Sequence, residues 1–271
     1  MDILLFKIAL CAYLVSTLGY TASLLVKRVH IARFSTWILL SAFIIHTASF
    51  LFRRLETGHS PFTGIYETLS FFAWAISGIY LAFQLKTKTR VLGAFVSPMA
   101  FLLMTAASIR LGGHVSIPAI LQGHWVTAHV TLSVIGEALF TLACLAGLMY
   151  LIQDNFIKNK KINSFSRLLP PLRDLDRINH ICLLWGFPML TLGVIAGSIW
   201  ARTVWGSHWQ WDPKQIWTLI AWIFYAVLLH QRLAIGWKGR KIAFFSIAVF
   251  LFLLFAFVAV NAVLTTSHKF I

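Results

Sequence analysis

A fourteen-residue segment in the last third of the chain, residues 204–217, combines an unusual number of aromatic rings with charged and titratable groups. Its sequence, VWGSHWQWDPKQIW, contains four tryptophans, one histidine, one aspartate and one lysine between two long apolar runs. Aromatic belts at a membrane interface explain one or two tryptophans per helix end. The higher number here predicts either a rich belt or a platform that holds a large, flat, apolar ligand by ring contacts.

The end of this segment has the pattern of a helix start. Asp212 suits the N-cap position, Pro213 the first helical position and Gln215 the third, so that WDPKQ predicts a capping box with the favoured proline. Asp212 and Pro213 therefore have a structural explanation that needs no ligand.

The composition of the whole chain is that of an integral membrane protein. Of its 271 residues, 59% are hydrophobic and only 11% are charged, and the mean hydropathy is +0.81. The net charge of +15 comes from basic residues that lie between apolar runs. We interpret them as topological signals and expect no nucleic acid partner. The three cysteines stand singly in apolar segments, which favours buried small side chains over a disulfide or a metal cluster.

Eight apolar runs are long enough to cross about 30 Å of hydrocarbon as helices. The sequence thus predicts an all-α, polytopic membrane protein that forms a single domain over residues 1–271. The expected spans are residues 3–26, 34–52, 66–85, 91–109, 127–152, 180–200, 214–235 and 242–264.

The distribution of lysine and arginine predicts the orientation of these spans. Sixteen of these residues flank one side of the predicted helices and six flank the other, so that the positive-inside rule places both termini outside. The tryptophan-rich segment then lies in an outer loop, residues 201–217, between spans six and seven. The basic linker 153–179 lies inside, where it could bind anionic lipid headgroups, which we favour, or a soluble partner.

Histidines near both faces of the membrane are candidate ligands for an iron ion in a porphyrin, which takes neutral imidazole as an axial ligand. His129 lies near the outer end of span five and His268 just beyond span eight, on the same side as the tryptophan loop. His230 lies seventeen residues past Pro213 in span seven, roughly 25 Å deeper and close to the inner face. A single membrane histidine is more often a hydrogen-bonded structural group, but two beside an aromatic loop favour a ligand site.

The segment WGSHWQWDPKQIW resembles the tryptophan-rich WWD signature of membrane proteins that handle heme in cytochrome c biogenesis. The similarity is greatest to the CcsA/ResC branch of system II, rather than to the CcmC or CcmF proteins. The segment GHSPFTGIYETLSFFAW also resembles the early outer loop of that branch, in which Tyr66 and Glu67 match a Tyr-Glu pair. The resemblance extends over nearly the whole chain.

Three further segments resemble those that carry the histidines of this branch. PAILQGHWVTAHV matches the segment of the first external histidine and assigns it to His129 rather than His124. FYAVLLHQR matches the segment of the transmembrane histidine, His230, and NAVLTTSHKF loosely matches that of the second external histidine, His268. The resemblance thus implies that His129, His268 and His230 are axial ligands of heme iron.

The resemblance implies a function in cytochrome c maturation. Heme b, a transient ligand and substrate, would cross the membrane and be presented for thioether attachment to CxxCH motifs of apocytochrome c. Trp205, Trp209, Trp211 and Asp212 would belong to the external heme-handling loop. The implied partners are a CcsB/ResB-type membrane subunit, apocytochrome c, heme, membrane lipid and thiol reductants. The chain would then be the heme-handling subunit of a cytochrome c synthase (heme lyase) complex, and no catalytic residue is assigned.

The expected location is a bacterial cytoplasmic (inner) membrane, with the active site on the outer, periplasmic side and a thylakoid membrane as the alternative. Two other functions remain open: heme export or heme-dependent regulation without attachment, as in HemX relatives, and a b-type membrane cytochrome. An inner heme with two histidine ligands would need a second residue besides His230, for which His46 or a partner's histidine is a candidate. Gln215 departs from the glutamate that is usual in the family, and Glu137 and His208 have no assigned role.

Overall fold

In the computed structural model, residues 1–58, 64–86, 89–109, 123–160 and 165–263 are described, and within these ranges the regular structure is helical. Seven helices are long and apolar enough to cross a membrane, and an eighth of 24 residues follows them. The helices are α1 (Asp2–Val26), α2 (Val29–Thr57), α3 (Ile65–Lys86), a 3-10 turn (Arg90–Leu92), α4 (Gly93–Ser108), α5 (His124–Lys158), α6 (Leu172–Trp205), α7 (Pro213–Leu233) and α8 (Arg240–Val263).

Each of the eight predicted spans corresponds to one of these helices, which confirms an all-α, multi-pass membrane protein. The main differences are at the ends of α5 and α6. α5 continues to Lys158 and α6 begins at Leu172 and runs to Trp205, so that much of the predicted linker 153–179 is helical. Apolar runs mark only the part of a helix that lies in lipid, and polar extensions into the interface escape that criterion. Pro98 and Pro188 lie inside continuous helices.

Backbone contacts divide the chain into two compact units. The first comprises Met1–Ser116 and Ile152–Leu175, and the second comprises Ile117–Leu151 and Asp176–Ile271. The interpretation of residues 1–271 as a single domain stays a prediction. The orientation of the termini and loops across the membrane also stays a prediction.

Buried polar contacts hold the first unit together. Arg53 of α2 donates to one Glu67 carboxylate oxygen of α3 from Nε (2.9 Å) and from a terminal nitrogen (2.6 Å), and contacts Asp2 of α1 at 3.3 Å. The Tyr20 and Tyr80 hydroxyl groups meet at 3.1 Å beside Gly93, where any side chain would collide with both tyrosines. Such contacts satisfy polar groups that lipid cannot satisfy.

In the second unit, an ion pair connects the N-terminal part of α6 to the end of α7. The Arg232 side chain is 6% exposed and donates to both carboxylate oxygens of Asp176, at 2.7 and 3.1 Å. Asp176 also accepts the backbone N–H of Gly239 at 2.9 Å, just before α8 begins. Arg232 Nε donates to His180 Nδ1 at 3.0 Å. Asp176 therefore connects three successive helices.

Replacing Asp176 with alanine is expected to destabilise the protein by about 3 kcal/mol, because Arg232 would remain buried without its carboxylate. We expect the Tm of the purified protein in detergent to fall by several degrees. The matched control is Asp174→Ala, which removes a half-buried acid from the same helix end and should cost about 0.5 kcal/mol through the helix dipole. Equal shifts for the two variants would contradict the role of the ion pair.

Candidate functional site

A cavity in the second unit lies under the tryptophan-rich loop and has a volume of about 620 Å³. That size is within the range of sites for small molecules and cofactors, roughly 300–1,000 Å³. Most of the lining is aliphatic or aromatic. Its aromatic and polar side chains are His129 and Glu137 from α5, Thr191, Ser198 and Trp200 from α6, His208 and Trp209 from the loop, and Lys214, Gln215, Trp217, Thr218 and Trp222 from α7.

His129 is held in this wall by a hydrogen bond from its ring to the neighbouring helix. Nδ1 lies 2.8 Å from the carbonyl oxygen of Gly193. A carbonyl can only accept, so Nδ1 carries the proton, and in the neutral ring Nε2 keeps its lone pair. Among the described residues Nε2 has no partner. A backbone carbonyl that fixes the tautomer of a histidine in this way is typical of histidines that bind a metal ion.

Two glycines on α6 position the His129 ring, and neither was predicted from the sequence. A Cβ atom on Gly197 would lie 2.6 Å from Nδ1 and 2.9 Å from Cε1 of His129. Gly193, one turn earlier, supplies the carbonyl that accepts the ring proton. The signal that could have found them is the Gly-x-x-x-Gly spacing in a membrane helix, which lets a neighbouring helix approach closely.

The three tryptophans assigned to the heme-handling loop occupy different environments. Trp209 lines the cavity, and its indole N–H is buried without a hydrogen-bond partner in the described part of the chain. Trp205 packs edge-on against Trp200, with ring centroids 5.3 Å apart, in a small cluster with Val126. Trp211 is 73% exposed and touches Trp209 edge-on at 5.8 Å. The structure therefore brings Trp209 to the cavity, and Trp200, Trp217 and Trp222 with it.

The predicted helix start is confirmed at Asp212. This residue is the N-cap of α7, its Oδ1 accepts the backbone N–H of Lys214 at 2.9 Å, and Pro213 occupies the first turn. In a capping box, the side chain of Gln215 would bond back to the backbone of Asp212, but here it bonds to Gln210. Gln215 Oε1 accepts the backbone N–H of Gln210 at 2.8 Å, and its Nε2 donates to Gln210 Oε1 at 2.9 Å. Because the loop folds back over the helix start, Gln210 competes successfully for the Gln215 amide.

The loop between α6 and α7 is shorter than predicted, since helices occupy both ends of residues 201–217 and leave residues 206–212. Gly206 has a φ of 77° where α6 ends, and Trp211 has a φ of 56° just before Asp212. A left-handed conformation is costly for a tryptophan and is common at functional sites. The loop thus holds Trp211 outward in a strained conformation.

His208 and Glu137 also line the cavity. His208 is exposed, its Nδ1 lies 3.2 Å from the Ser198 carbonyl and its Nε2 lies 3.4 Å from an Arg202 guanidinium nitrogen. Glu137 lies eight residues after His129 on α5, about 12 Å along the helix axis. Its carboxyl group has no hydrogen-bond partner among the described residues.

Of the other predicted histidines, His46 and His230 do not line this cavity. His46 is fully buried in the first unit, with Nε2 2.9 Å from the Ser70 hydroxyl and Nδ1 3.4 Å from the Tyr13 hydroxyl. Both nitrogens therefore have partners, and neither is available to iron in this structure. His230 is exposed in the last turn of α7. His268 lies outside the described residues, so its assignment stays a prediction.

Taken together, these side chains can hold a flat, apolar, macrocyclic ligand that carries a metal ion. His129 offers one axial nitrogen, and the surrounding indole rings offer apolar faces and edges. Over the described ranges, no cluster of three or more histidine, cysteine, aspartate or glutamate residues could hold a metal ion by itself. A metal that brings most of its own ligands, as in a porphyrin, fits such a donor set.

Comparison with known proteins agrees with this chemistry. Residues 62–268 match the family described as Cytochrome C assembly protein. A cytochrome c biogenesis protein CcsA from Chlamydomonas reinhardtii is 33% identical over 81% of this chain and 63% of that relative. CcsA proteins from Chlorella vulgaris and Guillardia theta are 30% and 28% identical, over 85% and 97% of this chain and 83% and 94% of theirs. The chain therefore belongs to the family of cytochrome c assembly proteins.

Proposed function

We propose that this protein acts in cytochrome c maturation by holding heme b in the cavity under the tryptophan loop and presenting it to apocytochrome c. The observation that carries the proposal is His129, whose ring lines a 620 Å³ cavity with Nδ1 bonded to a carbonyl and Nε2 left as a ligand nitrogen. The family membership and the names of the CcsA relatives support the same function.

The cavity offers heme three kinds of interaction. The imidazole of His129 would occupy one axial position of the iron. Trp200, Trp209 and Trp217 would contact the macrocycle, with the orphaned indole N–H of Trp209 as a donor for a polar substituent. Lys214 also lines the cavity and could accompany a propionate as a charge partner. In this proposal the external loop contributes through Trp209, while Asp212 acts by starting α7 and Trp205 by packing behind the wall.

If the cavity supplies only one axial ligand, heme would bind transiently, as a protein that passes heme on requires. One axial histidine holds heme less firmly than two, and the second external ligand in the proposal is His268. A bound heme whose second ligand can leave is a suitable donor, since the apocytochrome motif CxxCH brings its own histidine. We propose His230 as the ligand on the opposite face and a CcsB/ResB-type subunit as the source of a further histidine.

The attachment reaction itself requires little from this chain beyond orientation. Each cysteine thiol adds across a heme vinyl group, so that sulfur bonds to the inner vinyl carbon and the thiol hydrogen is transferred to the outer one. This addition needs no oxidant, but it does need free thiols, which is why thiol reductants belong to the proposed system. The protein would supply binding and orientation, which can lower the barrier by several kcal/mol.

We place the protein in a bacterial cytoplasmic membrane, with the cavity opening towards the outer side. The excess of lysine and arginine in the linkers after the first, third, fifth and seventh helices supports this orientation. A thylakoid membrane is the alternative. Labelling of single cysteines introduced near Gly206 with a membrane-impermeant thiol reagent in intact cells would distinguish outward from inward exposure.

Co-expression in a host that lacks its own maturation system tests the proposed function. The protein, a CcsB/ResB-type subunit and a reporter with one CxxCH motif are produced together, and covalent heme on the reporter is detected after denaturing electrophoresis. We expect heme on this reporter and none on the matched AxxAH reporter or without the protein. Heme bound to the purified protein without any heme on the reporter would instead favour export or regulation.

A further inference from the structure

A second, smaller cavity lies in the first unit, far in sequence from the tryptophan loop. Its volume is about 130 Å³, equivalent to about four water molecules at roughly 30 Å³ each. Three arginines from three different linkers line it: Arg28 between α1 and α2, Arg90 between α3 and α4, and Arg167 between α5 and α6. The other lining residues are Ser23, Leu24, Val29, Ala32, Val91 and Leu168.

The three guanidinium groups lack compensating acids. No aspartate or glutamate lines the cavity, and in the described part of the chain none of the three side chains forms an ion pair or a hydrogen bond. Arginines elsewhere in the protein do have such partners, as Arg53 and Arg232 show. Three like charges around one small space repel each other, and an anion among them would turn this repulsion into attraction.

The backbone adds to the positive potential at the same place. α2 begins at Val29, beside the cavity, and its N-cap residue Arg28 provides no side-chain hydrogen bond to the first turn. The first backbone N–H groups of a helix and its dipole both favour a negative charge near the N-terminus. The guanidinium groups and this helix start would therefore attract the same anion.

We propose that this cavity is a binding site for a phosphate group. Arginine forms bidentate, charge-assisted hydrogen bonds with phosphate, and a space of about four waters suits a group with four oxygens. It is too small for heme, which needs a cavity such as the one beside His129. Two sources share this chemistry: the headgroup of an anionic phospholipid, whose chains would lie along α1 and α2, and free phosphate.

The linkers that carry the three arginines all lie on the side of the membrane predicted to face inward. Basic pockets between helices on that side typically hold anionic headgroups. The apolar residues Leu24, Val29 and Val91 in the same wall would contact the glycerol backbone or the first part of an acyl chain. The site is independent of the proposed heme chemistry.

Binding of a fluorescent phosphatidylglycerol to the purified full-length protein in detergent tests this site. We expect saturable binding that labelled phosphatidylcholine does not match, because its choline group is repelled by the arginines. Arg28→Gln, Arg90→Gln and Arg167→Gln should each weaken binding about fivefold, the equivalent of about 1 kcal/mol per charge. The matched control is Arg33→Gln, an exposed arginine of α2 that does not line the cavity, with an expected change under twofold.

Competition by sodium phosphate, against sodium chloride at equal ionic strength, separates the two sources. Displacement by phosphate alone would identify a phosphate site open to the free ion, and resistance to both salts would identify the headgroup. If Arg90→Gln fails to fold, Arg90→Lys keeps the charge but loses the bidentate geometry, so that it should weaken binding by less than about fivefold. Equal weakening by Arg33→Gln and the three cavity variants would show only general surface attraction and overturn the proposal.

Discussion

Replacing His129 with alanine is expected to remove most of the heme that co-purifies with the protein and to abolish maturation of a CxxCH reporter. The imidazole is the proposed iron ligand in this cavity, and the loss of even an orienting partner of such a ligand typically weakens metal binding 10- to 100-fold. The heme content is measured from the absorbance of the reduced pyridine complex, relative to protein. We expect a decrease of at least about tenfold.

Imidazole added to the His129→Ala protein should restore part of the bound heme, because the substitution leaves a space of the same shape beside Gly197. A purely structural role of His129 would not give this rescue. The matched control is His124→Ala, an exposed histidine five residues earlier on the same helix, which should keep its heme. Unchanged heme content and maturation in the His129→Ala protein would refute the proposed site.

Replacing Gly197 with alanine is expected to displace the His129 ring and to reduce heme binding nearly as much as the loss of the histidine. The new methyl group would lie 2.6 Å from Nδ1, closer than any packing allows, so that the ring must turn away from the Gly193 carbonyl. The imidazole would then lose both its fixed tautomer and its direction. The spectrum of any remaining heme should show a changed axial ligand.

The matched control for this variant is Gly186→Ala, three turns earlier on the same helix. Its methyl group would lie 2.7 Å from Cε1 of Phe140, so that it also disturbs the packing of α6 on α5, but at a distance from His129. We expect a lower Tm for both variants and a changed heme spectrum only for Gly197→Ala. Equal loss of heme from both proteins would mean that general helix packing, rather than the position of the ring, controls binding.

The two proposed binding sites can be tested separately, because the cavities belong to different units. The cavity lined by Arg28, Arg90 and Arg167 would bind phosphate, and the cavity beside His129 would bind heme. The variants at Arg28, Arg90 and Arg167 change lipid or phosphate binding without touching any residue that lines the larger cavity. If they also impair maturation, the cavity lined by the three arginines contributes to function in cells. The purified protein should still bind heme.

Local properties of the sequence were sufficient to predict the helices and the N-cap of α7. A run of about 20 apolar residues has few stable alternatives to a helix in lipid, and all eight such runs form helices. The Asp-Pro pair likewise determines the start of α7, because an N-cap depends on residues within one turn. The resemblance of the tryptophan segment also identified the family correctly, since its spacing is conspicuous without any knowledge of contacts.

The geometry of the candidate site could be described only from the tertiary structure, because each of its features depends on residues distant in sequence. The protonated nitrogen of His129 is determined by a carbonyl 64 residues away, and Gln215 pairs with Gln210 rather than Asp212 because the loop folds back. His46 differs from His129 only in its neighbours, which occupy both of its nitrogens. Sequence by itself determined which segments cross the membrane and which residue types could bind heme. Packing decided which nitrogen of His129 is without a hydrogen-bond partner in the described part of the chain, because such partners are determined by proximity in space.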